Sequence, residues 1–238
     1  MRSGRGNDEL RKIEVIKNLN KWAEGSAEVI WGGNRINVTA SLEKRVPPHL
    51  LNTNSGWIAV EYRMLPRSTS VRKIRNENLI NTDARQVEIS RILGRIIRNT
   101  VDLTAFPKKT IWLDCDVIQA DGGTRIAALF GAFIALHECL KMMRTQGIFT
   151  EMPLKYRVCG ISAAIKDGEI LVDPDFNEDF SSDADINIFQ NDKGEILEIQ
   201  GGAEGRGYSG NKLMELLEKV QPVFRELFDL QKNIVDGG

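Results

Sequence analysis

Leu113-Asp114-Cys115-Asp116-Val117-Ile118-Gln119-Ala120-Asp121-Gly122-Gly123-Thr124-Arg125 is the stretch on which the fold turns. Thr110 to Val117 reads as a strand, and the paired glycines feed it into a helix from Gly122 to Met143. That helix is apolar nearly all round, the pattern of one enclosed at the centre of a domain. Glycines let backbone approach an anion closely, and the first free N–H groups of a helix point at it with the positive dipole end behind them. Thr124 adds a hydroxyl and Arg125 a fixed cationic fork, so the turn reads as a phosphate site. The competing reading is an ordinary capped turn with Asp121 as N-cap.

Working outward, Ile13 to Lys17 and Ser26 to Trp31 read as strands, and Gly32-Gly33-Asn34 turns the second into Ile36 to Ala40. Trp57 to Tyr62 is a further strand. From Asp83 to Asp102 the spacing is helical: Ile89, Ile92, Leu93, Ile96 and Ile97 share one face, with Arg91, Arg95 and Arg98 opposite. Arg85 falls on the apolar face at the helix start, where a guanidinium needs an anion or an internal partner such as Glu88. Beyond residue 150, Lys155 to Ile165 and Glu169 to Val172 form a hairpin through Lys166-Asp167-Gly168. Strands at Ala184 to Phe189 and Ile196 to Gln200 follow, then one amphipathic helix from Asn211 to Gln231. The class expected is α+β: a single domain over 1–238, with two similar β-rich halves at about 1–150 and 151–238.

Glu178-Asp179-Phe180-Ser181-Ser182-Asp183-Ala184-Asp185-Ile186-Asn187 is an acidic constellation. Asp183 and Asp185 would share one face of the strand starting here, with Asp179 in the turn before it. Clustered carboxylates near a phosphate site suit Mg²⁺; a solvated acidic turn is the alternative. Arg63, Arg67, Arg72, Lys73 and Arg75 place five basic residues in thirteen without an acid among them. The intervening Pro66, Ser68, Thr69 and Ser70 make this a loop, suited to following a phosphodiester backbone without reading bases, or simply solvated. His137 sits in the apolar helix and His49 in a loop, neither beside a nucleophile, which removes Ser-His-Asp and Cys-His hydrolysis.

The 32 basic and 33 acidic residues leave a net charge of -1, so only local basic clusters could attract a polyanion. Cys115, Cys139 and Cys159 form no CxxC; Cys115 on a strand and Cys139 in the apolar helix read as small core residues, and a reducing cytoplasm fits. The N-terminal stretch is polar, and no window is expected to reach the roughly 18 apolar residues of a membrane span.

Taken together these segments resemble the RNase PH family along nearly the whole chain. The resemblance rests on Gly4-Arg5, Leu10-Arg11, Ala23-Glu24-Gly25-Ser26, Gly56-Trp57, Glu61-Tyr62, Met64-Leu65-Pro66-Arg67 and Arg85 with Glu88-Ile89 and Arg91. It continues through Asp114 to Arg125, Glu178-Asp179, Asp185-Ile186-Asn187, Gln200-Gly201 and Ala203-Glu204-Gly205. It implies duplicated β-α-β halves like the second domain of ribosomal protein S-five. It implies a phosphate-dependent 3′→5′ exoribonuclease that trims tRNA precursors, releases nucleoside diphosphates and can run backwards as a nucleotidyltransferase. It implies inorganic phosphate held by Arg85, Gly123, Thr124 and Arg125, Mg²⁺ and the reacting groups organised by Asp179 and Asp185, and RNA gripped by Arg67, Arg72 and Arg75. A hexamer, as a trimer of dimers, is implied too. A non-catalytic RNA-binding ring subunit and a Mg²⁺-dependent hydrolytic nuclease are the competing functions. The chain departs from the family pattern at Arg63, Asn81-Thr82-Asp83-Ala84, Ile126, Phe130, Gly202 and Arg206-Gly207-Tyr208.

Overall fold

Strand β1 (Ile13–Lys17) pairs antiparallel with β2 (Gly25–Trp31), which turns through Gly32-Gly33 into β3 (Asn34–Glu43). The computed structural model describes residues 2, 4–75 and 83–237. β3 pairs antiparallel with β5 (Thr110–Gln119), and the remaining pair is parallel: β4 (Trp57–Met64) lies beside β5, joined over the sheet by helix α1 (Ala84–Asn99). The first sheet thus runs β1-β2-β3-β5-β4. Parallel neighbours need such a crossover, because a tight turn cannot return the chain to the same end.

The second sheet is antiparallel in the order β7-β6-β8-β9, built from β6 (Val158–Lys166), β7 (Glu169–Val172), β8 (Ala184–Asn191) and β9 (Ile196–Ala203). A short helix α3 (Phe176–Phe180) interrupts the passage from β7 to β8, and α4 (Gly210–Lys219) and α5 (Gln221–Asp236) close the chain. The expected single terminal helix is two. Pro222 has no N–H to donate and its ring crowds the carbonyl four residues back, so the helix restarts after Val220.

Between the sheets lies α2 (Thr124–Thr145), in contact with β2, β3 and β5 of one and β6 of the other. Its surroundings explain its uniform apolarity, and all its residues from Ile126 to Leu136 are buried. Gly131 is required there, since a Cβ would approach Val29 and Val38 to 2.9 Å. By length and composition α2 could cross a membrane, against the expectation that no window would. Its most apolar window is 83% buried inside the protein, with one continuous core around it. The departures Ile126 and Phe130 belong to that core, Phe130 edge-on to Trp31 at 5.8 Å.

All three cysteines are free and buried. Burial pushes the Cys139 thiol up to about 12 and raises Cys115 and Cys159 well above their usual range, so none is a nucleophile. Arg91 and Arg95 face outward as expected, but Arg98 packs over the Trp57 ring at 4.3 Å and donates to the Ile58 carbonyl.

Candidate active site between the two sheets

The strand β5 delivers the chain to Gly122 and Gly123, at φ of 72° and 67°, and the second is the N-cap of α2. Both conformations are left-handed, which glycine adopts without a Cβ penalty. Asp121 is therefore not the cap. It accepts instead from the Phe176 amide and from Arg11, and its own amide donates to Asn34 Oδ1. No side chain caps α2, so its first amides, with the helix dipole behind them, are left for a ligand.

Around this turn lies a cavity of about 390 Å³ lined by Tyr62, Arg85, Gly123, Thr124, Asp179 and Asp185 among others. Arg85, in the first turn of α1, is exposed and has no ion-pair partner among the described residues; Glu88 does not hold it. Arg125 is held by Gln200 Oε1 of β9 at 3.0 Å. Burial and the neighbouring charge of Arg85 lower the Arg125 pKa, with Asp185 pulling the other way. Two guanidiniums that disfavour each other, one of them partly buried, are a standing demand for an anion.

Facing them, Asp179 comes from α3 and Asp185 from β8. Burial and the Asp185 charge raise the Asp179 pKa above its ordinary value, against the pull of Arg85 and Arg125. Phosphate turn and carboxylates thus meet across the joint between the two sheets. The other acids of the constellation are used structurally. Asp175 and Glu178 form the capping box of α3, and Asp183 accepts from the Asp167 amide in the β6–β7 turn, so Asp183 does not join Asp185. No group of three or more His, Cys, Asp or Glu that could cage a metal occurs among the described residues. Asp179 and Asp185 still fit Mg²⁺, which takes one or two carboxylates and completes its shell with water and phosphate oxygens.

Several site residues escaped the sequence reading. Tyr62 at the end of β4 bonds the Thr124 hydroxyl at 2.7 Å; burial raises its pKa and keeps the phenol neutral. Arg11 is a clamp. It donates to both Asp173 oxygens, at 2.6 and 3.1 Å, and to the carbonyls of Asp121 and Gly122. Burial opposes its charge, but Asp173, with Asp121 and Asp175 behind, outweighs this and raises the Arg11 pKa. Asp173 is completed by Trp31 Nε1 at 3.0 Å, and Asn34 donates to the Gly122 carbonyl at 2.6 Å. The Gly122–Gly123 turn is thereby fastened to both sheets. Arg2 and Arg5 grip Glu178 at 2.8 and 3.1 Å, fixing α3 beside Asp179.

The basic loop is irregular, as expected, with Arg67, Arg72 and Arg75 exposed and free of ion pairs among the described residues. Lys73 and Thr69 of that loop reach the cavity. Of the departures, Arg63 stands in register with Asp116 and 3.7 Å from Glu61, so it offsets an acidic row on β4 and β5. Asn81 and Thr82 lie outside the described residues.

The joint between the sheets brings together an uncapped helix start, two arginines and two carboxylates, an arrangement chemically suited to an anion. The chain belongs to the 3′ exoribonuclease family: residues 9–140 match domain 1 of that family and residues 156–219 match domain 2. Ribonuclease PH of Dehalococcoides mccartyi is 41% identical over 231 residues, covering 97% of this chain and 96% of the relative. Ribonuclease PH of Moorella thermoacetica is 41% identical over 233 residues, covering 98% and 93%. Among solved structures, an archaeal exosome core matches with a TM-score of 0.78 at 23% identity, over 97% of this chain and 89% of the other. The Archaeoglobus fulgidus exosome with RNA bound to the active site matches at 0.79 and 24% identity, over 94% and 91%. Both bear out the mixed α/β, two-part fold.

Proposed function

We infer that this chain is a phosphate-dependent 3′→5′ exoribonuclease, a tRNA nucleotidyltransferase when run in reverse. The observation that carries the reading is an uncapped helix start with Arg125 in its first turn, beside one cavity that Arg85, Asp179 and Asp185 line together. A hydrolase attacking with water would need the acids but not two cations around a free anion. Family membership and 41% identity to Ribonuclease PH relatives support the same reading over a non-catalytic ring subunit.

In this account Arg85, Arg125 and the Gly123–Thr124 amides hold inorganic phosphate against the last phosphodiester of RNA. A phosphate oxygen attacks that phosphorus in line, and the bond to the 3′-oxygen of the preceding nucleotide breaks. The terminal nucleotide leaves as its diphosphate. Both reactants are anions, so positioning and charge neutralisation supply most of the acceleration. Tyr62 orients the Thr124 hydroxyl at the phosphate. Asp185 serves as general acid to the leaving 3′-oxygen, with Asp179, whose pKa burial and the Asp185 charge raise, beside it. Mg²⁺ held by Asp179 and Asp185 would neutralise charge on the phosphoryl oxygens.

Arg67, Arg72 and Arg75 extend the cationic path along the RNA backbone, which supports binding of tRNA precursors by shape and charge rather than base sequence. A hexameric ring, assembled as a trimer of dimers from chains of one domain, and a cytoplasmic location complete the proposal; three free, buried cysteines suit a reducing compartment. The reverse reaction tests it: excess nucleoside diphosphate with RNA and Mg²⁺ should lengthen the 3′ end and release inorganic phosphate. Extension that uses triphosphates alone, or none, would count against it.

A further inference from the structure

We propose that Phe176 and Phe180 form a stacking platform for the base of the 3′-terminal nucleotide of RNA, a subsite resting on the exoribonuclease reading above. The two rings are four residues apart on α3 and stack at 5.8 Å with an interplanar angle of 23°. Their mutual contact is the ordinary business of neighbours on one helix face. It does not explain why Phe176 is 54% and Phe180 80% exposed, leaving the outer ring faces bare.

Both rings line the cavity that Arg85, Thr124, Asp179 and Asp185 line. Asp179 is the immediate chain neighbour of Phe180, so a nucleotide whose phosphate lies at the carboxylates has its base within reach of the aromatic pair. Charge in the cavity favours the same occupant: Lys73 and Arg85 line it too. The platform is also held still. The Asp175–Glu178 capping box closes α3, and Arg2 and Arg5 pin Glu178 to the body of the protein. Rigid aromatic surface stacks any base, because every base offers a π-face, and an enzyme that removes successive nucleotides needs such tolerance. The occupant is therefore the base of the substrate itself, not an apolar partner.

The test uses the full chain and an RNA carrying 2-aminopurine either at its 3′ terminus or five nucleotides inward, without phosphate so that nothing is released. Stacking should quench the terminal probe more than the inner one, and Phe176→Ala/Phe180→Ala should abolish the difference. With phosphate present, the double variant should raise the KM for RNA about tenfold or more while the KM for phosphate stays within twofold. Phe180→Tyr keeps the ring and should restore RNA binding. Phe180 is exposed, so an unchanged thermal midpoint is expected of the variants. An unaltered KM for RNA, or equal quenching of both probes, overturns the platform. So does a fall in sedimentation mass of the double variant, which would mean that a second copy of the chain covers the rings. Phosphate-independent release by the wild-type protein would instead overturn the exoribonuclease reading, while the quenching still judges the platform.

Discussion

Gly122→Ala and Gly123→Ala should behave very differently although the two residues are adjacent and share a left-handed backbone. A Cβ on Gly123 would meet Arg11 Nη2 at 3.4 Å and Ser162 Cβ at 3.8 Å, which is ordinary contact. Only the backbone penalty remains, about 1–2 kcal/mol. A Cβ on Gly122 would lie 2.7 Å from the Pro174 carbonyl oxygen and 2.8 Å from the Asp175 carbonyl carbon. These are backbone atoms that cannot swing aside, and overpacking adds about 1–3 kcal/mol. At roughly 2–4 °C per kcal/mol for a chain of this size, Gly123→Ala should lower the thermal midpoint by about 2–8 °C. Gly122→Ala should lower it by about 4–20 °C. The consequence for function is sharper, since Pro174 and Asp175 lead directly into α3. Gly122→Ala pushes the phosphate turn away from Asp179, and a misplacement of order 1 Å costs about 100-fold in turnover. Calorimetry at fixed protein concentration, with initial rates over a phosphate series, reads both effects. Equal midpoints for the two variants, or turnover of Gly122→Ala within twofold of wild type, would refute the close packing of turn on α3.

Arg125→Ala should raise the KM for phosphate about 10- to 150-fold, the equivalent of losing one charge-assisted hydrogen bond of about 1.5–3 kcal/mol, as measured by phosphate titration at saturating RNA. Arg11→Ala removes the nearest cation from the nearly buried Asp173, leaving Arg5 at 3.5 Å, and should cost about 1–3 kcal/mol, seen as a drop in the denaturation midpoint together with a higher KM for phosphate. Asp179→Asn should abolish turnover without loss of stability at pH 7. The folded pKa of Asp179 is raised, so its charged form destabilises the fold, a cost absent below the ordinary value of 3.8 and incurred as pH rises through the folded value. The variant should therefore match or exceed wild-type stability at pH 7, and the advantage should vanish as urea titrations approach pH 4.

Local pattern made most of this architecture legible. The alternation in β3, the Gly32-Gly33 turn and the apolar face of α1 each depend on neighbours a few residues apart. Gly122 to Arg125 could be read as a tight turn into a buried helix because its signals are contiguous. The split at Pro222 was present in the sequence, but the amphipathic period runs through both α4 and α5 and conceals it. Arg11 could not be found this way. Its partner Asp173 is 162 residues distant, and only the meeting of the two sheets makes them a pair. Tyr62 reads as a strand core residue, and only the arrival of Thr124 at its hydroxyl shows otherwise. Asp183 and Asp185 alternate correctly for one face, yet Asp183 precedes the strand and is drawn to the Asp167 amide.

The central claim is most directly tested by incubating the protein and Mg²⁺ with an RNA labelled in its 3′-terminal nucleotide, with and without inorganic phosphate, and identifying the released label. Nucleoside diphosphate that appears only when phosphate is present is the predicted result. Nucleoside monophosphate in the absence of phosphate, or bound RNA from which nothing is released, would contradict it.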